Sequence, residues 1–164
     1  MVCSTRSTFT SIALLAAAGA VFGCASHYIP NTDVEDTEEN RKIVTFCERY
    51  RHAVERKDIG ALLKMASPDY YEDGGNVDAS DDLDYTGWKE YITSRFQDAR
   101  AIRYEIRYRR VLKDEEEGKI FVDYTISASW RIPGTKGEEW QRLVNDNRLE
   151  LVPFQDEFRI VAGM

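Results

Sequence analysis

Apolar and polar positions change rhythm three times along this chain. Residues 12–22, IALLAAAGAVF, are apolar or small without a break. Residues 25–36, ASHYIPNTDVED, show no period. Steps of three and four then set in: Ile43, Cys47, Tyr50 and Val54 form one stripe, with Phe46 and Ala53 beside it. That spacing predicts a helix over residues 37–57, opened by Asp36 and Glu39 at capping-box distance. Asp58 is placed to cap a short second helix, IGALLKMA, which offers Leu62, Leu63 and Met65 for burial before Pro68 stops it. DYYED reads as a short strand and GGNVDASDDLD as a loop; a third helix is predicted from about Thr86, with Trp88, Tyr91, Ile92 and Phe96 along one side.

From Ile102 the period drops to two. Ile102, Tyr104, Ile106 and Tyr108 alternate with Arg103, Glu105, Arg107 and Arg109, giving a strand with one greasy and one charged face. After the turn KDEEEGK, the next strand's apolar set runs Ile120, Val122, Tyr124, Ile126, Ala128, Trp130 and Ile132. The strand over residues 138–152 begins with Trp140 and Val144 in phase and ends with Leu149 and Leu151, a slip of one that predicts a β-bulge at residues 145–147. FRIVAGM supplies a last strand. A sheet with one greasy face needs cover, and three helices can give it. The expected class is therefore α+β: three helices on a curved, mainly antiparallel sheet, a cone with a cavity open at one end.

The first rhythm gives an address. At about 1.5 Å per residue, residues 12–22 span roughly half a bilayer core, too short to cross it and suited to the apolar part of an export signal. Arg6 is the only Lys, Arg, Asp or Glu before Asp33. VFGC resembles a bacterial lipobox, in which a small residue precedes a cysteine that is acylated and becomes the mature N-terminus. The resemblance implies a signal peptide over 1–23, lipid on Cys24, a tether over 24–36 and a folded domain over 37–164. Ala25 and Ser26 after the cysteine imply an outer-membrane lipoprotein facing the periplasm; simple cleavage and secretion is the alternative. One acyl chain holds a protein only marginally, and two or more hold it firmly. Cys3 falls in the leader, so Cys47 is left alone and no disulfide is expected within the domain.

The net charge of −7 and pI near 5.0 exclude diffuse attraction to phosphate backbones, so nucleic acid is not an expected partner. There is no phosphate loop, zinc spacing or nucleophile elbow, and no cofactor or metal is expected.

FCERYRHAVERKDIGALLKMASPDYYED and the closing NRLELVPFQDEFRIVAGM resemble the nuclear transport factor 2-like (NTF2-like) superfamily, which includes ketosteroid isomerase and the SnoaL-like cyclases. The likeness covers about residues 38–164. By analogy with ketosteroid isomerase it implies Asp73 as general base, with Tyr50 and Asp146 as donors to an enolate. Each has a plainer reading: Asp73 precedes Gly-Gly as a turn residue, Tyr50 lies on a core stripe, and Asp146 sits in the expected bulge. His52, the domain's one histidine, falls off the apolar stripe and reads as solvated. Asp78, Asp81, Asp82 and Asp84 lack calcium-loop spacing. Arg103, Arg107, Arg109 and Arg110 are expected to pair with neighbouring acids on an outer face. Tyr104, Trp130 and Trp140 are candidates to line an apolar pocket, against the alternative of ordinary core. Three functions stand: a module binding a small apolar ligand without catalysis, an interaction or homodimerisation module of an envelope assembly, and an isomerase- or cyclase-like enzyme.

Overall fold

A computed structural model describes residues 27–74, 77–134 and 137–164. The apolar leader and Cys24 lie outside the described residues. Elements follow in the order α1 (Glu38–Glu55), α2 (Ile59–Met65), β1 (Tyr71–Glu72), β2 (Leu83–Asp84), α3 (Tyr85–Asp98), β3 (Ala101–Asp114), β4 (Lys119–Gly134), β5 (Gly137–Phe154) and β6 (Glu157–Ala162). The long strands form one antiparallel sheet in the order β3-β4-β5-β6, and β1 and β2 form a small hairpin. The expected fold class, three helices on a mainly antiparallel sheet, is what the chain adopts.

Helix starts follow side-chain chemistry. Asp58 accepts from the Ala61 N–H and Asp84 from the Gly87 N–H, each satisfying a donor that the helix leaves open. At α1 the cap is Thr37, which accepts from the Asn40 N–H, and not the predicted Asp36; that carboxylate instead binds Arg41. The Lys57 ammonium donates to the carbonyls of Phe96 and Ala99, tying the end of α1 to the end of α3.

The core is where the periods place it. Ile43, Cys47, Leu62, Val122, Leu149, Leu151 and Ile160 are fully enclosed. Aromatic side chains fill the space between α1 and the sheet: Tyr50, Tyr70, Trp88, Tyr108 and Tyr124 are each at most 3% exposed. Burial pushes the Cys47 thiol far above its usual range, which leaves it inert as a nucleophile.

Two expectations are corrected. No bulge interrupts β5 at residues 145–147, for its register with β4 runs unbroken from Leu151 opposite Ile120 to Gly137 opposite Gly134. The shifts fall instead between Tyr108 and Arg110, and where β6 joins β5 at Glu150 and Leu151. The second correction concerns residues 27–36, which fold onto the domain and do not form a tether. Val34 is buried, Tyr28 bridges to Glu35, and the Asp33 N–H donates to the Tyr108 carbonyl. Of the arginine stripe, Arg107 and Arg109 hydrogen-bond the Asp33 carboxylate and Arg110 that of Asp123, as expected, whereas Arg103 lies over the Trp140 ring.

Those hydrogen bonds, from Arg107 first and then Arg109, hold Asp33 down from 3.8 to about 2. The folded value lies below the unfolded one, so this support is complete above about pH 4 and is lost as pH falls toward 2. Amide protection factors at Asp33 and Val34 should therefore fall between about pH 4 and 2 while those at Val122 hold; equal loss at both places would refute the assignment.

Candidate functional site

The structure does not bring Tyr50, Asp73 and Asp146 together. Tyr50 is buried on α1, its ring edge-on to Tyr104 at 6.3 Å and 87°. Asp73 follows β1 in an exposed position. Its neighbour Glu72 points inward instead, accepting from the Gly163 N–H at 2.7 Å and the Tyr70 hydroxyl at 3.5 Å. Asp146 pairs in register with Thr125, whose hydroxyl donates to it at 2.6 Å. Opposed residues in an antiparallel pair share a face, and Thr125 alternates with buried Tyr124 and Ile126. Asp146 is therefore on the outer face of the sheet, remote from the cone, because β5 carries no bulge to turn it inward.

Three phenols do converge. Burial is the main cause that raises Tyr50, Tyr104 and Tyr124 above the usual tyrosine range. Each belongs to the buried core or packs against it. Tyr124 donates to the Gly163 carbonyl at 3.3 Å. This is a neutral cluster that ties helix, sheet and C-terminal residues together.

The pocket candidates separate in the same way. Tyr104 and half-buried Trp130 lie on the inner face, with Trp130 opposite Ile102 and Gln141. Trp140 is on the outer face opposite Arg131 and does not line the cone. Its ring lies under the guanidiniums of Arg103 at 4.8 Å and Arg131 at 5.9 Å. His52 is exposed beside Arg51 and Glu55, as expected. Asp84 is a helix cap, and Asp82 accepts from the Tyr71 hydroxyl.

A feature missed in the sequence is the contrast between the two edges of the sheet. The β3 edge is covered at two places: Arg51 donates to the Tyr104 carbonyl and Glu55 accepts from the Tyr104 N–H, and the Asp33 N–H closes on the Tyr108 carbonyl. The β5 edge is open. β6 pairs with it only from Glu150 to Phe154, then turns away at Gly163, whose N–H goes to Glu72 while that of Met164 goes to Tyr70. Every residue from 137 to 148 is exposed, on both faces of the strand. Trp140, Leu143 and Val144 are 48%, 45% and 56% exposed. The one available signal was the phase itself: apolar residues on both phases of EEWQRLVNDNR mean that neither face is core.

No family model matches the chain, and no curated protein matches it. Solved structures do. A "putative dehydratase from the NTF2-like family" of Streptomyces avermitilis superposes with a TM-score of 0.63 at 10% identity, over 76% of this chain and 92% of that one. A conserved protein of Planctomyces limnophilus gives 0.63 at 11% identity, over 76% and 92%. A "putative scytalone dehydratase" of Novosphingobium aromaticivorans gives 0.62 at 13% identity, over 76% and 80%. At such identities the likeness establishes fold alone: the chain has the NTF2-like fold.

Proposed function

We propose that this NTF2-like body is an interaction module, anchored in the envelope through lipid on Cys24, which pairs with a second copy along the free edge of β5. The single observation that carries this reading is the open edge at residues 137–148, in contrast to a β3 edge covered at Tyr104 and Tyr108. Long unpaired edges invite strand addition, and proteins ordinarily blunt them.

Charge selects the occupant and the register. A two-fold axis through the sheet sets residues of equal parity opposite one another. Centred on Arg142, it would set that arginine against itself and Glu138 against Asp146. Centred on Val144, it sets Arg142 opposite the second copy's Asp146, Trp140 opposite its Arg148, and Val144 opposite itself. Arg142 has no carboxylate within ion-pair distance among the described residues, whereas Arg148 is held by Asp123. The Val144 register thus supplies the missing partner twice, once on each side of the axis. Sedimentation velocity of the protein carrying Cys24→Ser, which removes the acylation site, should show a dimer at micromolar concentration; a monomer at about 100 µM would sink the reading.

A second reading rests on the concave face. Leu143, Asn145 and Asn147 share the face of buried Ala128, Ile126 and Tyr124, yet stay exposed. A small apolar ligand seated near Tyr104, Trp130 and Leu143 would use that surface, and its retention in native mass spectrometry would support this reading. The separation of Tyr50, Asp73 and Asp146 gives no support to an isomerase-like reaction through them.

A further inference from the structure

A cavity of about 660 Å³ lies on the outer side of α1 and α2, where the turn between β5 and β6 folds over it. It involves neither the cone interior nor the free edge of β5. Its size is that of a site for a small organic molecule, roughly 300–1,000 Å³. Phe46, Met65 and Phe158 supply apolar lining, with the two rings edge-on at 5.6 Å. Arg56, Lys64 and Arg159 also line it.

These three cations stand apart from most of the others. Arg41, Lys42, Arg51, Arg107, Arg110 and Lys113 each face a carboxylate of their own chain. Arg56, Lys64 and Arg159 have no carboxylate within ion-pair distance among the described residues. Arg159 is instead over the Phe154 ring at 4.6 Å. Of the acids on the cavity, Glu157 is already taken by Arg49, which leaves Asp156. In a chain of net charge −7, free positive charge gathered around an apolar floor runs against the average. Such an arrangement pairs a desolvating floor with unspent donors, which suits a ligand that is apolar at one end and anionic at the other.

We infer that this groove binds a single-chain amphiphile with an anionic head, phosphate or carboxylate, its chain on Phe46 and Phe158 and its head among Arg56, Lys64 and Arg159. The inference does not depend on dimerisation, because it uses no residue from 137 to 148.

Calorimetric titration of the Cys24→Ser protein tests it, with octyl phosphate below its micellar concentration as ligand. Octyl glucoside tests the chain without the charge, inorganic phosphate tests the head without the chain, and phosphatidylglycerol vesicles test an anionic phosphate head in a bilayer. Octyl phosphate should bind at least about tenfold tighter than either half-ligand, a difference of about 1.4 kcal/mol. Arg56→Gln with Lys64→Gln should weaken it about tenfold; both side chains are exposed, so the fold should survive, and circular dichroism checks this. Phe158→Leu should weaken octyl phosphate and leave inorganic phosphate unchanged. Vesicle binding that the double variant abolishes would support the groove and name a bilayer lipid as its source. Equal affinity for octyl glucoside, or an octyl phosphate affinity untouched by the double variant, would overturn the inference.

Discussion

Arg142→Asp and Asp146→Arg should each yield a monomer, and the two together should restore the dimer. The two-fold axis makes every edge residue except Val144 count twice. One substitution places two like-charged pairs across the seam, and the double variant puts both attractive pairs back in reverse. Cross-strand pairs contribute about 0.2–1 kcal/mol each, and like charges forced together cost more. The swing from two attractive to two repulsive pairs is thus on the order of 2–4 kcal/mol, or roughly 30- to 1,000-fold in dimer affinity. Sedimentation equilibrium across a dilution series reads this directly. Thermal melting of each variant separates it from misfolding, since both positions are exposed and neither change reaches the core. Asp146→Arg also removes the acceptor of the Thr125 hydroxyl, so Thr125→Val serves as its control. If both single variants dimerise like the parent protein, pairing about Val144 is wrong.

Gly163→Ala should be among the most damaging small changes in the protein. The residue sits at φ +88, where a side chain is strained, and an added Cβ would fall 1.8 Å from the Arg148 carbonyl oxygen. That oxygen belongs to a strand backbone and cannot swing aside. The chain must instead lift off, losing the bonds of Gly163 to Glu72 and of Met164 to Tyr70. Strain and lost hydrogen bonds together suggest a cost of about 3–5 kcal/mol. For a domain of this size that is a fall of roughly 10 °C or more in Tm. Gly118 is the contrast, with φ +65 and nothing within 4 Å of a new Cβ, so alanine there should cost only about 1 kcal/mol. A similar Tm for the two variants would show that the C-terminal residues contribute little to the fold.

The parts of the fold that the sequence revealed are those where one face is buried. β4 alternates cleanly because Ile120, Val122, Tyr124 and Ile126 all meet the helices, and the α1 stripe reads true for the same reason. Before Leu149, β5 has no cover on either side, so burial does not select its phase. Its mixed pattern reads as a bulge, which leaves the direction of Asp146 open and sets Trp140 on the wrong face. Residues 27–36 differ: the apolar side chains of Ile29 and Val34 and the ion-paired acids Asp33 and Asp36 fasten the segment, and none of them generates a period. The groove beside α2 draws Phe46 from one helix, Lys64 from another and Arg159 from a strand. No linear pattern contains it.

The seating of residues 27–36 against β3 also decides how the molecule would stand on a bilayer. From an acylated Cys24 to His27 is three peptide units, a leash of roughly 10 Å at full stretch. Each body would then be held down close to its β3 margin. In a pair joined through β5, the two β3 margins lie at opposite ends of a six-stranded span, roughly 25 Å apart at ordinary strand spacing. Such an assembly would form a low bridge with a foot at either end, and pulling up one foot would leave the other planted.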